Sequence, residues 1–87
     1  MNLVIIGSGN IATHLAKAWY ATGHKIIQVY SPTLANANAL ASVVNSQAID
    51  DLQVISKHAD VYLIAVSDAA IPQVIRALDP SVEGIVV

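Results

Sequence analysis

Leu3-Val4-Ile5-Ile6-Gly7-Ser8-Gly9-Asn10-Ile11-Ala12 decides how this chain folds. Four apolar residues in a row read as a strand buried on both faces, and the helix-like stretch that follows runs to about Ala21. Between them lies a glycine turn of the form GxGxxA. Gly7 makes the turn tight, and Gly9, having no Cβ, leaves room for a group to come close to the backbone. Ala12 is small enough for the new helix to pack on the strand just left. The first amides of that helix, at Asn10, Ile11 and Ala12, have no partner within it and stand at the positive end of its dipole. Strand, glycine turn, helix and a second strand at the expected distance together make a phosphate cradle suited to a dinucleotide. The bland alternative is a glycine turn without a ligand.

Outward from that turn, strand and helix patterns alternate to the end of the chain. Asn2 to Ile6 is the first strand, and the helix from Asn10 to Ala21 carries Ile11, Leu15, Ala18 and Trp19 at helical spacing before Gly23 caps it. Lys25 to Tyr30 is the second strand. Thr33, after Pro32, can cap an alanine-rich helix from Leu34 to about Val44. Gln47-Ala48-Ile49 reads as a short edge strand, with Asp50 or Asp51 capping a short helix to Lys57. Ala59 to Val66 is the fourth strand, closed by Ser67-Asp68, with Asp68 a candidate cap of the next helix or a polar group near a bound substrate. Pro72 sits in the first turn of a helix to about Leu78, ended by Asp79-Pro80. This order predicts an α/β fold: a doubly wound, Rossmann-like parallel sheet in three layers, strand order 3-2-1-4-5, forming a single domain over residues 1–87.

Composition narrows the function. Of the 87 residues, 55% are hydrophobic and 11% charged, well under the roughly one quarter usual for soluble domains, so the apolar surface calls for a covering domain or subunit. Gly84-Ile85-Val86-Val87 reads as the opening of a further strand, and the chain is expected to be the amino-terminal part of a longer enzyme. A net charge of -2 and four scattered cations, Lys17, Lys25, Lys57 and Arg76, give no field for nucleic acid. Cysteine is absent, Gly7 ends the first apolar run, and no basic segment precedes it. A signal peptide or membrane span is therefore not expected, and the cytoplasm is the default location. His14, His24 and His58 lack metal-ligand spacing and are expected to be exposed, so no metal site is assigned.

Dinucleotide domains that prefer NAD place a carboxylate at the end of the second strand, where it binds the ribose 2'-hydroxyl. Here that place holds Tyr30 or Ser31. Without an acid nothing repels a 2'-phosphate, and the hydroxyls of Ser31 and Thr33 could bind one, or could serve as a turn hydroxyl and a helix cap. NADP is thus the expected cofactor, with NAD possible, although no cation stands between Ser31 and Val44. Val66 and Ser67, ending the fourth strand, are expected to pass the nicotinamide side. The expected cofactor residues are therefore Gly7, Ser8, Gly9, Asn10, Ile11, Ala12, Tyr30, Ser31, Thr33, Val66 and Ser67. No residue reads as a catalytic acid, base or nucleophile. Trp19, Tyr20 and Tyr62 read as core or interface.

Val4-Ile5-Ile6-Gly7-Ser8-Gly9-Asn10-Ile11-Ala12, Val29-Tyr30-Ser31-Pro32-Thr33 and Ala59-Asp60-Val61 through Ala65-Val66 resemble the amino end of pyrroline-5-carboxylate reductase and of the deazaflavin-dependent NADP oxidoreductases. The resemblance spans nearly the whole chain. It implies an NADP-binding module whose small imine or carbonyl substrate would lie between this domain and a helical carboxyl-terminal domain, within a homodimer. Where the reductases carry lysine-proline after the fourth strand, this chain has Ser67-Asp68. A nucleotide-sensing module without catalysis is the alternative, and a methyltransferase would also expect the acid that the second strand lacks.

Overall fold

The computed structural model describes residues 1–66, 71–78 and 85–86. Five parallel strands form one sheet: β1 (Asn2–Ile6), β2 (Lys25–Tyr30), β3 (Gln47–Ile49), β4 (Val61–Ile64) and β5 (Ile85–Val86), in the order β3-β2-β1-β4-β5. Helices α1 (Asn10–Ala21), α2 (Leu34–Val43) and α3 (Ile71–Leu78) supply the crossovers. The predicted topology and the bounds of β1, α1, β2 and β3 match the sequence reading.

β1 lies at the centre and feeds two cores. Leu3 and Ile5 pack with Ala12 and Ala16 of α1, Ile26 and Val29 of β2, and Ala37, Leu40 and Ala41 of α2. Val4 and Ile6 pack on the opposite face with Tyr30, Ile49, Ile55, Tyr62 and Val74 of α3. Ile26 and Val29 share a face although three residues apart, because the β1–β2 register shifts between Leu3 and Val4. The extra residue, Ile27, restores the alternation so that Gln28 and Tyr30 both turn to the α3 face.

Three elements differ from expectation. The core stripe of α1 is Ala12 and Ala16, with Trp19 packed against it, whereas Ile11 is 71% exposed and Ala18 also faces outward. At Ala12 and Ala16 a small side chain lets the helix pack close on the strands, so size can outweigh hydrophobicity in choosing the face. The helix expected from Asp51 to Lys57 is a single 3-10 turn, Leu52–Val54, although Asp51 does cap it, its Oδ1 accepting from the Gln53 amide at 2.9 Å. Beyond that turn, side chains take the backbone groups a helix would need. Gln28, 8% exposed, donates from Nε2 to the Val54 carbonyl (3.0 Å) and accepts the Ser56 amide at Oε1 (2.7 Å). The Tyr62 hydroxyl donates to the Ser56 carbonyl (2.5 Å) and accepts the Ala59 amide (3.2 Å).

β4 is shorter than the expected 59–66, its ladder being bounded by β1. At one end Asp60 exchanges bonds with Asn2, its amide donating to the Asn2 carbonyl and its Oδ2 accepting the Asn2 amide, both 2.7 Å. At the other the Ala65 amide reaches the Ile6 carbonyl at 2.8 Å, after which β1 turns away at Gly7. Gly23, at φ +95°, follows the end of α1 as expected, and Asn45, at φ 53°, does the same for α2. Asp68 and Asp79-Pro80, expected to cap and to end α3, lie outside the described residues.

Tyr62→Phe tests the pinning of the β3–β4 connection. Removing the hydroxyl takes the partner of a buried amide, so unfolding in urea is expected to show a loss of about 1–2 kcal/mol. A midpoint unchanged from the parent would contradict this role.

Candidate functional site

The carboxyl ends of β1, β2 and β4 meet where the strand order reverses, which is where open α/β sheets hold their ligands. Gly7 closes the end of β1. Its amide donates to the Tyr30 carbonyl at 2.9 Å, tying β1 to β2, and its φ is +132°. A Cβ there would stand 2.3 Å from the Ala65 carbonyl oxygen, so the backbone of β4 approaches as only glycine allows. Gly9 differs. Its φ of -74° and ψ of -169° are open to any residue, and among the described residues beyond its chain neighbours a Cβ built on it meets nothing within 4 Å. It is the N-cap of α1 without a side chain to cap, and the Gly9 carbonyl takes the Thr13 amide at 2.9 Å. The amides of Asn10, Ile11 and Ala12 therefore have no capping side chain at Gly9.

Two cavities flank this turn and share Ser8. One, of about 270 Å³, is a cleft over the sheet edge lined by Gly7, Ser8, Tyr30, Ser31 and Val66, with Leu52 and Gln73 closing its far side. The other, of about 440 Å³, is a groove between α1 and α2, with Ser8, Gly9, Thr13 and Lys17 on one wall and Asn36 and Leu40 on the other. No described aspartate or glutamate lines either cavity.

The structure thus gathers Gly7, Ser8, Gly9, Tyr30, Ser31 and Val66 around one turn. Asn10 and Ile11 stand exposed at the start of α1, and Ala12 is buried beneath it, packing on β1. Ser31 is 3% exposed, and its Oγ accepts the Thr33 amide at 3.2 Å, so its hydroxyl serves the turn. Thr33 holds the N-cap position of α2 but its side chain makes no capping bond, contrary to expectation. Instead its carbonyl accepts the Asn36 and Ala37 amides. Ser67 lies outside the described residues. Of the histidines, His14 and His58 are exposed as expected, while His24 is half-buried with Nδ1 3.2 Å from the amino terminus. Among the described residues no three of His, Cys, Asp and Glu cluster as a metal site would require, and no helix is long and apolar enough to cross a membrane.

Sequence reading missed Leu52 and Gln73 in the cleft, and Lys17 and Asn36 in the groove. For the groove a signal existed. Gly9, Thr13 and Lys17 recur every four residues on one helix face, as do Asn36 and Leu40 on the other.

The model of the family described as NADP oxidoreductase, coenzyme F420-dependent, matches residues 2–87. No curated protein matches the chain. Among solved structures, a protein of Bacteroides fragilis assigned as an NADP oxidoreductase is 35% identical with a TM-score of 0.90 over 94% of this chain and 32% of its own. One of Desulfitobacterium hafniense, assigned as an NADPH-dependent oxidoreductase, is 20% identical with a TM-score of 0.77 over 99% of this chain and 26% of its own. An imine reductase of Myxococcus stipitatus, solved in complex with NADP+, is 22% identical with a TM-score of 0.73 over 90% of this chain and 27% of its own. The last two likenesses are of fold. The chain spans about a third of the length of the Bacteroides protein and less of the other two.

Proposed function

Because the chain belongs to the NADP oxidoreductase family described as coenzyme F420-dependent, we propose that it is the dinucleotide-binding domain of an enzyme that moves a hydride between NADP and a small imine or carbonyl compound. The observation that carries this reading is the difference between two glycines. Gly7 is filled by protein, with Ala65 against it, whereas at Gly9, the N-cap of α1, no described residue beyond its chain neighbours comes within 4 Å of the position a Cβ would take. The residues present suit a diphosphate there.

Bound NADP would supply the hydride. The chain's part is to hold and to orient. Amides at Asn10 to Ala12 would donate hydrogen bonds to the diphosphate, and Tyr30, Ser31 and Val66 would wall the cleft on either side of Gly7. Val66 lines the cleft with an apolar side chain that would keep water from one side of a nicotinamide. Substrate-orienting groups would come from a helical carboxyl-terminal domain, with a second subunit completing the enzyme. The imine or carbonyl class follows the resemblance to pyrroline-5-carboxylate reductase.

Calorimetric titration with NADPH and NADH tests the reading. Both are expected to bind, NADPH more tightly. Tighter binding of NADH would overturn the cofactor preference, and failure of both to bind would overturn the function.

A further inference from the structure

NADP differs from NAD by a dianionic 2'-phosphate, and the side chains that sequence reading offers for it are poorly placed to neutralise one. Ser31 is buried with its Oγ engaged by the Thr33 amide, and no cation stands between Ser31 and Val44. A cation on a different element lines the groove beside this turn. Lys17 lines the α1–α2 groove, as does Asn36 of the first turn of α2, and that groove also includes Ser8 and Gly9.

We propose that Lys17, with Asn36 across the groove, recognises the 2'-phosphate and so sets the preference for NADP. The proposal rests on the dinucleotide reading and adds to it a residue outside the glycine turn and outside the β2–α2 loop. Three observations support it. Lys17 makes no ion pair among the described residues, and no described carboxylate lines the groove to compete for it. Helix geometry puts Lys17 about 12 Å along the axis from Gly9, and its stem, leaning back toward the helix start, brings the ammonium about half that distance nearer. Asn36 adds an amide that donates to phosphate oxygen without adding charge. Of the other cations, Lys25 lines a separate cavity with Tyr20 and Val44, near the opposite edge of the sheet.

The test uses adenosine 2',5'-bisphosphate and 5'-AMP, which differ by the 2'-phosphate alone, titrated calorimetrically into the chain and its variants. The parent is expected to favour the bisphosphate by about tenfold, the worth of one charge-assisted contact. Lys17→Gln should remove most of that ratio while leaving AMP affinity and the melting temperature in place. Lys17→Arg should keep the ratio, and Lys25→Gln, which alters net charge equally, should leave it unchanged. A ratio unaltered by Lys17→Gln, or lowered as much by Lys25→Gln, would overturn the role of Lys17 and leave the dinucleotide reading standing. Binding of neither nucleotide, nor of NADPH, by the parent would overturn both.

Discussion

Gly7→Ala is expected to destabilise the chain by about 3 kcal/mol, the combined cost of a left-handed backbone for a residue with a Cβ and of overlap with a neighbour that cannot yield. The neighbour is backbone. The Ala65 carbonyl oxygen would lie 2.3 Å from the new methyl group, and Ala65 is held by its amide's bond to the Ile6 carbonyl. Relief would require β1 and β4 to part at the centre of the sheet, or the Gly7–Tyr30 bond that joins β1 to β2 to break. A loss of this size is a large share of the stability of a small domain. Urea denaturation followed by circular dichroism would read it directly. A midpoint within the error of the parent would mean that the strands do not approach at Gly7 as described.

Gly9→Val is expected to behave in the opposite way, folding nearly as well as the parent and losing dinucleotide affinity by about a hundredfold, the worth of two charge-assisted contacts to backbone amides. The backbone at Gly9 is extended and open to valine, and no described residue beyond its chain neighbours lies within 4 Å of the new Cβ. The cost to folding is that of a poorer N-cap, about 1 kcal/mol. The side chain would instead occupy the space in front of the Asn10 to Ala12 amides. Thermal melting and an NADPH titration on the same sample separate the two effects. Full affinity in a folded variant would mean that no diphosphate approaches this turn. The contrast between Gly7 and Gly9 is informative because the residues are two apart in one motif and their glycines answer different demands.

Much of this was legible in the sequence because it depends on local rules. The unbroken apolar run of β1, the glycine turn behind it and Gly23 after α1 each fix a boundary through backbone chemistry, and the regular alternation of strands and helices fixes the order of the sheet. What escaped notice depends on contacts between distant segments. The side chains of Gln28 and Tyr62 hold residues 54–59 out of a helix, and neither announces its partner in the local pattern. The displaced register at Ile27 shows only in the pairing of β2 with β1, not in the pattern of β2 alone. Ile11 is apolar and at core spacing in sequence, yet stands outward because Ala12 and Ala16 take the buried face of α1. Within the candidate site, residues of the glycine turn were readable from their spacing. Lys17 and Asn36 were not paired, because they become neighbours only when α1 and α2 pack side by side.

The most direct measurement of the central claim is the change in backbone amide NMR shifts as NADPH is added to the chain. The largest changes are predicted at Ser8 to Thr13, with a second set at Tyr30, Ser31, Ala65 and Val66 around the cleft. Changes confined to the cavity near the opposite edge, at Tyr20, His24, Lys25 and Asn45, with the amides of Gly9 to Ala12 unmoved, would contradict it.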